Sequence, residues 1–169
     1  MGTRRLMSTE LKYEKLCVRD TKDVIELCRT WWYQSKFFEN TNMQFESTQE
    51  YWWNLFQLGV MMGTVGRNED KELKSCYVAM KQPYMFNHSY IMASEIVWCI
   101  DKEYRSGRNL IQLLNEIEDC NKDENTSFYS LNLPVLEDTQ RLVTKLESRS
   151  FFKQDMSMIK ETNLEKQDG

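Results

Sequence analysis

Residues 95–114 read Glu95-Ile-Val-Trp-Cys-Ile100-Asp-Lys-Glu-Tyr-Arg105-Ser-Gly-Arg-Asn-Leu110-Ile-Gln-Leu-Leu114, and this stretch decides the fold. An apolar run ends at Ile100, a short basic turn with one glycine follows, and an amphipathic helix begins. Leu110, Leu113, Leu114 and Ile117 fall at i, i+3, i+4 and i+7, which places them on one helical face. A strand that enters a helix through such a turn leaves the first N–H groups of the helix without intrahelical partners, all aimed the same way. Together with the positive end of the helix dipole they form a phosphate-binding terminus, and Arg105 and Arg108 flank it with charged donors. The plain alternative is an ordinary connection whose two arginines are merely solvated. One glycine does not separate these readings.

Working outward, the chain of 169 residues suits one domain with its own core. Charged residues make up 28% and aromatics 12%, a globular rather than a disordered balance. A net charge of −4 argues against a surface built for generic contact with nucleic-acid backbone. No apolar run reaches the length of a membrane span, and no signal-peptide core follows Arg4 and Arg5, so a cytoplasmic protein is expected, in the host cytoplasm if its origin is viral. Five cysteines (Cys17, Cys28, Cys76, Cys99, Cys120) are scattered, odd in number and never in C-x-x-C spacing. With a single histidine, His88, they predict reduced thiols and no metal site.

The pattern predicts a strand at 12–18 and a helix capped by Thr21 that carries Val24, Leu27, Cys28 and Trp31 on one face. Ser47 and Glu50 have capping-box spacing and predict the start of a second helix with Tyr51, Trp52, Leu55 and Phe56. Three strands follow at 60–66, 73–81 and 90–100, with polar turns at 67–71 and from Pro83 to His88. Ile96 and Val97 are expected to be almost fully buried in the last of these. The glycine-turn helix covers 106–120, a strand 128–133, a helix starting near Pro134 and Asp138 carries Leu142, Val143 and Leu146, and a last strand covers 151–160. Trp31-Trp32-Tyr33 and Tyr51-Trp52-Trp53 cannot each face one side of a helix, so some of these rings meet a loop, a ligand or a partner.

The order β-α-α-β-β-β-α-β-α-β, with the Ile100-to-Leu114 motif, resembles the GNAT superfamily of N-acyltransferases. Against that family's acetyl-coenzyme A signature, roughly V-x-P-x-x-R-x-x-G-x-G/A, Ile100 stands at the V, Lys102 at the P and Arg105 at the R. Arg108 and Leu110 stand at glycine positions, and Gly107 lies one position early, a form closest to phage-encoded members. Leu146-Glu-Ser-Arg-Ser-Phe-Phe-Lys153 is similar to the family's Y-x-x-x-G-F ending, with Ser150 at the glycine and Phe151 at the aromatic.

The resemblance implies an α+β fold, an α/β/α sandwich whose mixed, mostly antiparallel central sheet of about six strands carries four helices. The expectation is a single GNAT-like domain over 1–169, with 1–10 and 161–169 as flexible tails. It also implies an acyl-coenzyme A donor, acetyl-CoA by default, with pantetheine held by Trp98, Cys99 and Ile100 and pyrophosphate by Arg105, Ser106, Gly107, Arg108, Asn109 and Leu110. The implied general base is Glu95, the only acid between Tyr90 and Ile100. Leu146 occupies the position where the family offers a tyrosine acid, which leaves Tyr129, Tyr84, Tyr90 or water for that role. The acceptor wall would be lined by Phe37, Phe38, Met43 and Phe45. The reading is therefore acyl transfer to a primary amine on an unidentified acceptor. Its alternatives are a catalytically weak GNAT-like module that binds a protein partner or itself through exposed aromatics, and a viral acyltransferase that modifies nucleic-acid bases.

Overall fold

Of the helical stripe read from the sequence, Leu113, Leu114 and Ile117 are buried and Leu110 is half-buried. Helix α3, Gly107–Asp123, hides Leu113, Leu114 and Ile117, with Asn109 and Asn121 at the two ends of the same face. Both asparagines are satisfied, Asn109 Nδ2 donating to Tyr104 O (2.7 Å) and Asn121 Nδ2 to Ile117 O (2.8 Å) and the Tyr77 hydroxyl (3.3 Å). The computed structural model describes residues 10–32, 44–133 and 139–153.

The chain divides into two compact units, Met1–Leu131 and Asn132–Gly169. The first holds β1 (Lys12–Lys15), α1 (Thr21–Trp32), α2 (Phe45–Gln57), β2 (Met61–Arg67), β3 (Leu73–Tyr84), β4 (Asn87–Ile100), α3 and β5 (Phe128–Ser130). Its sheet runs in the order β1-β2-β3-β4-β5, antiparallel except for the β4–β5 pair, which is parallel. The second unit holds α4, Thr139–Glu147, in which Leu146 is buried. The architecture is the mixed, mostly antiparallel α+β sheet with four helices that was expected, with five strands among the described residues. Of the sixth strand expected at 151–160, residues 151–153 are not extended into a strand and the rest lies outside the described residues, as do Pro134, Asp138, Tyr33, Phe37, Phe38 and Met43.

One face of the sheet, with Val65, Cys76 and Val78, packs against Val24, Ile25 and Cys28 of α1 and Trp52 and Leu55 of α2. Burying each of the aliphatic side chains is worth about 1.5–3 kcal/mol. In α2 the three consecutive aromatics divide as helical geometry requires, with Trp52 buried and Tyr51 and Trp53 exposed.

Several boundaries differ from the sequence reading. Strands β3 and β4 form a long hairpin that turns at Met85-Phe86, so Pro83 and His88 belong to strands rather than to a loop. Helix α2 begins at Phe45 instead of Ser47, whose hydroxyl bonds back to Gln44 O (3.2 Å). Thr21 is already helical and donates to Val18 O (2.7 Å), while Asp20 caps the preceding turn by accepting from Cys17 N (2.8 Å). Ile96 is 38% exposed and Val97 only half-buried, because the register slips at this point. Val97 pairs with Val78 and Glu95 with Ala79, so Ile96 is the extra residue of a β-bulge.

The Asp20 carboxylate is almost fully buried and also accepts from Arg67 Nη2 at 2.8 Å. Burial pushes its pKa up, but the Cys17 hydrogen bonds and the Arg67 guanidinium outweigh that and hold it below the usual carboxylate value. A depressed folded-state pKa gives stability that is present above about pH 4 and lost as pH falls through the folded value. Asp20→Asn is expected to cost about 3 kcal/mol at pH 7, the low end for a broken buried pair, because Arg67 keeps Glu14 and Asp23. In urea melts the gap between variant and wild type should narrow at pH 3, and a gap that does not depend on pH would refute the assignment.

Candidate functional site: the diverging edge of β4 and the turn into α3

Strand β5 accompanies β4 only briefly, with 128–130 pairing with 92–94. Beyond Ser94 and Ser130 the parallel ladder stops, and among the described residues β5 does not continue beside 95–100. The bulge at Ile96 lies just past the point of divergence and adds a local bend to β4. On the other edge β4 stays paired with β3 to its end, where Asp101 N donates to Lys74 O at 2.7 Å. In an antiparallel ladder hydrogen-bonded and non-hydrogen-bonded pairs alternate. That bond therefore turns the backbone of Cys99 towards Cys76, and the backbones of Trp98 and Ile100 towards the side that β5 has left.

The turn that follows is held at each step. Asp101 caps a single 3-10 turn by accepting from Glu103 N (3.1 Å). Tyr104 is buried, and its hydroxyl accepts from Asn68 Nδ2 (3.1 Å). Arg105 Nε donates to Ile100 O (2.9 Å), which ties this arginine to the strand end. Ser106 is the N-cap of α3, its Oγ accepting from Asn109 N (3.1 Å), and Leu110 N donates to Ser106 O (2.9 Å). Of the amides expected to meet a pyrophosphate, those of Asn109 and Leu110 are thus already used within the turn. The N–H groups of Gly107 and Arg108 carry no hydrogen bond among the described residues and occupy the first two positions of the helix. Arg108 is exposed, with only a 3.9 Å approach to Glu10.

Gly107 is uncrowded. A Cβ built on it meets nothing within 4 Å, and its φ is not positive, so neither packing nor backbone conformation within the chain calls for glycine there. What the missing side chain leaves is open space at the start of the helix.

Glu95 lies at the divergence and is half-buried. By register it shares with Ala79 the sheet face that carries Tyr77. Burial drives the Tyr77 phenol well above its usual pKa, against the lowering effect of its Asn121 hydrogen bond, and the nearby Glu95 carboxylate and Tyr129 add to the rise. Of the three tyrosines left open as proton donors, Tyr129 pairs by register with Ala93, two residues before Glu95 on β4. Tyr84 and Tyr90 belong instead to an aromatic cluster at the far end of the hairpin, 6.2 and 5.6 Å from the Phe128 ring.

Sequence spacing did not foresee one further grouping. Cys28 of α1, Cys76 of β3 and Cys99 of β4 converge behind this strand, with their sulfurs all within 4.8 Å of one another. Residues this far apart meet only because β3 and β4 pair and α1 covers them.

Solved acetyltransferases share this fold. An aminoglycoside acetyltransferase from an uncultured soil metagenomic sample superposes with a TM-score of 0.69 at 13% identity, over 90% of this chain and 97% of its own. Glucosamine-6-phosphate N-acetyltransferase from Arabidopsis thaliana gives 0.66 at 15% identity, over 91% and 99%. A predicted acetyltransferase from Clostridium acetobutylicum, solved with acetyl-CoA, gives 0.64 at 13% identity, over 92% and 97%. No protein-family model and no curated protein sequence matches the chain. At these identities the likeness defines the fold, which is that of the GNAT acetyltransferases. The expected closeness to phage-encoded members finds no support among these structures, which come from soil DNA, a plant and a clostridium.

Proposed function

We propose that this protein is an acyl-coenzyme A-dependent N-acyltransferase that moves an acetyl or other short acyl group to a primary amine by direct attack. The observation that carries the reading is the α3 terminus, with two unused amides, an uncrowded Gly107 and the exposed Arg108, at the end of a strand edge that β5 has left. These residues fit a pyrophosphate, and the backbones of Trp98 and Ile100 fit the amide groups of a pantetheine arm lying along β4. Bound acetyl-CoA supplies an acyl group activated as a thioester. The chain's own part is to hold the phosphates at Gly107 and Arg108, to take the amine proton at the Glu95 carboxylate directly or through a water, and to offer a proton from the Tyr129 hydroxyl. The reading places the protein in the cytoplasm, where its thiols stay reduced.

Gly107→Ala and Arg108→Ala test the binding half. Both positions are exposed, so melting temperatures should stay within a degree or two, while Arg108→Ala should weaken acetyl-CoA binding by about tenfold, the scale of one charge-assisted hydrogen bond, and Gly107→Ala should weaken it by setting a methyl group against the bound phosphate. Arg105→Ala should lower affinity and stability together, because its guanidinium also holds Ile100 O. Unchanged affinity by calorimetry in both Gly107→Ala and Arg108→Ala would remove the assignment.

A second reading has its own support. Leu146 is buried in α4 and has no proton to give, and Tyr51 and Trp53 are exposed on α2, as a binding module that has lost catalysis would show. It predicts acetyl-CoA binding without transfer to any amine.

A further inference from the structure

We propose that Cys28, Cys76 and Cys99 form a binding site for one Cu(I) ion, independent of the acyl-transfer reading. Their sulfurs lie within 4.8 Å of one another, and those of Cys76 and Cys99 are 3.6 Å apart. An ion held about 2.3 Å from three sulfurs in a plane needs those sulfurs about 4 Å apart. The 3.6 Å between Cys76 and Cys99 is already close to that spacing.

The donor set selects the ion. Three thiolates with no imidazole and no carboxylate among them favour a soft metal. Structural zinc takes four protein ligands, and among the described residues three come together here. A water is a poor fourth ligand in a wall made of Val24, Ile25 and Val78, each fully buried. Cu(I), with a filled d shell and a single charge, is content with three sulfurs and no water. Binding moves no electrons. It displaces thiol protons to solvent and forms copper–sulfur bonds.

A Cys76–Cys99 disulfide is the competing fate of these thiols. The two residues are a hydrogen-bonded cross-strand pair with Cα atoms about 5.5 Å apart, and closure would bring the sulfurs from 3.6 Å to bonding distance. It would leave Cys28 unused, whereas copper employs all three.

The test uses the full chain, reduced and free of oxygen, titrated with Cu(I) as its bicinchoninate complex. Wild type is expected to withdraw one equivalent, to develop ultraviolet thiolate-to-copper charge-transfer absorption, and to melt at a higher temperature. X-ray absorption at the copper edge should show three sulfur neighbours. Cys28→Ala removes a ligand by shortening a core side chain; far-ultraviolet circular dichroism checks its fold, and its uptake should fall to none. The doubly substituted chain Cys17→Ser with Cys120→Ser keeps the cluster and should still take one equivalent. Copper left entirely on the chelator by wild type, uptake lost in the Cys17/Cys120 variant, fewer than three sulfurs at the ion, or zinc alone outcompeting copper would each overturn the proposal.

Discussion

Gly63→Ala is expected to destabilise the protein by 3 kcal/mol or more, at or beyond the top of the usual range of about 1–3 kcal/mol for overpacking. Gly63 lies in β2 opposite Val78, and its carbonyl accepts from Leu16 N. A Cβ there would sit 2.1 Å from the Tyr77 carbonyl oxygen and 3.0 Å from Leu16 Cδ2. The oxygen is backbone in the middle strand of the sheet, so it cannot swing aside. Relief requires β2 to move away from β3, which also disturbs the packing of Val65 and Val78. Gly66, three residues on, makes the contrast. Its added Cβ would meet the Tyr13 ring at 2.8 Å and Ser75 Cβ at 3.1 Å, but the closest contact is with a half-buried side chain, whose shift costs its hydroxyl bond to Ser75 rather than the backbone ladder. Gly66→Ala should therefore cost clearly less. Thermal melts of the two variants decide the matter: a shift of 1 kcal/mol corresponds to about 2–4 °C for a chain of this size. Equal small shifts for both would show that β2 tolerates the displacement.

The contrast between these glycines was not legible in the sequence, where both read as punctuation of a strand. The same limit separates the other successes from the corrections. The spacing of Leu113, Leu114 and Ile117 is a local property of one helix, and the structure buries that stripe. The three central strands were legible from their apolar runs, but their ends were not. Pro83 and His88 look like turn residues, yet hairpin pairing carries both strands on to Tyr84 and Asn87. Ile96 looks like core because it is isoleucine in an apolar run. Only the slip between Val78 and Ala79 on the partner strand turns it outward. Of the site, the basic turn and Glu95 could be found by residue type. Which amides remain open could not, since that depends on the Ser106 cap and on the link from Arg105 to Ile100. The cysteine cluster is the extreme case, because its thiols lie 48 and 23 residues apart along the chain and nothing local announces them.

Glu95→Gln is expected to lower the turnover number by about two orders of magnitude or more, the scale of a lost general base, while acetyl-CoA binding stays within twofold. The separation follows from placement. Glu95 sits where β4 and β5 part, whereas Gly107 and Arg108 lie beyond the end of the strand, past Ile100 and the Tyr104 turn. Glutamine keeps the size of the side chain and its ability to hydrogen-bond at a half-buried site, so the bulge should survive and the melting temperature should change little. An amine acceptor must first be found by screening primary amines, sugars and peptides; slow hydrolysis of acetyl-CoA serves as the readout until then. If Glu95 takes the proton, the rate of the wild type should fall at low pH as the carboxylate is protonated, and that acidic limb should vanish in the variant. If Tyr129 supplies the proton, Tyr129→Phe should lower the rate by a smaller factor, because water can substitute as donor, and should remove the alkaline limb. A Glu95→Gln enzyme that acylates at the wild-type rate would make Glu95 a structural member of the bulge. Transfer would then have to proceed on binding and orientation alone, with water as the only base.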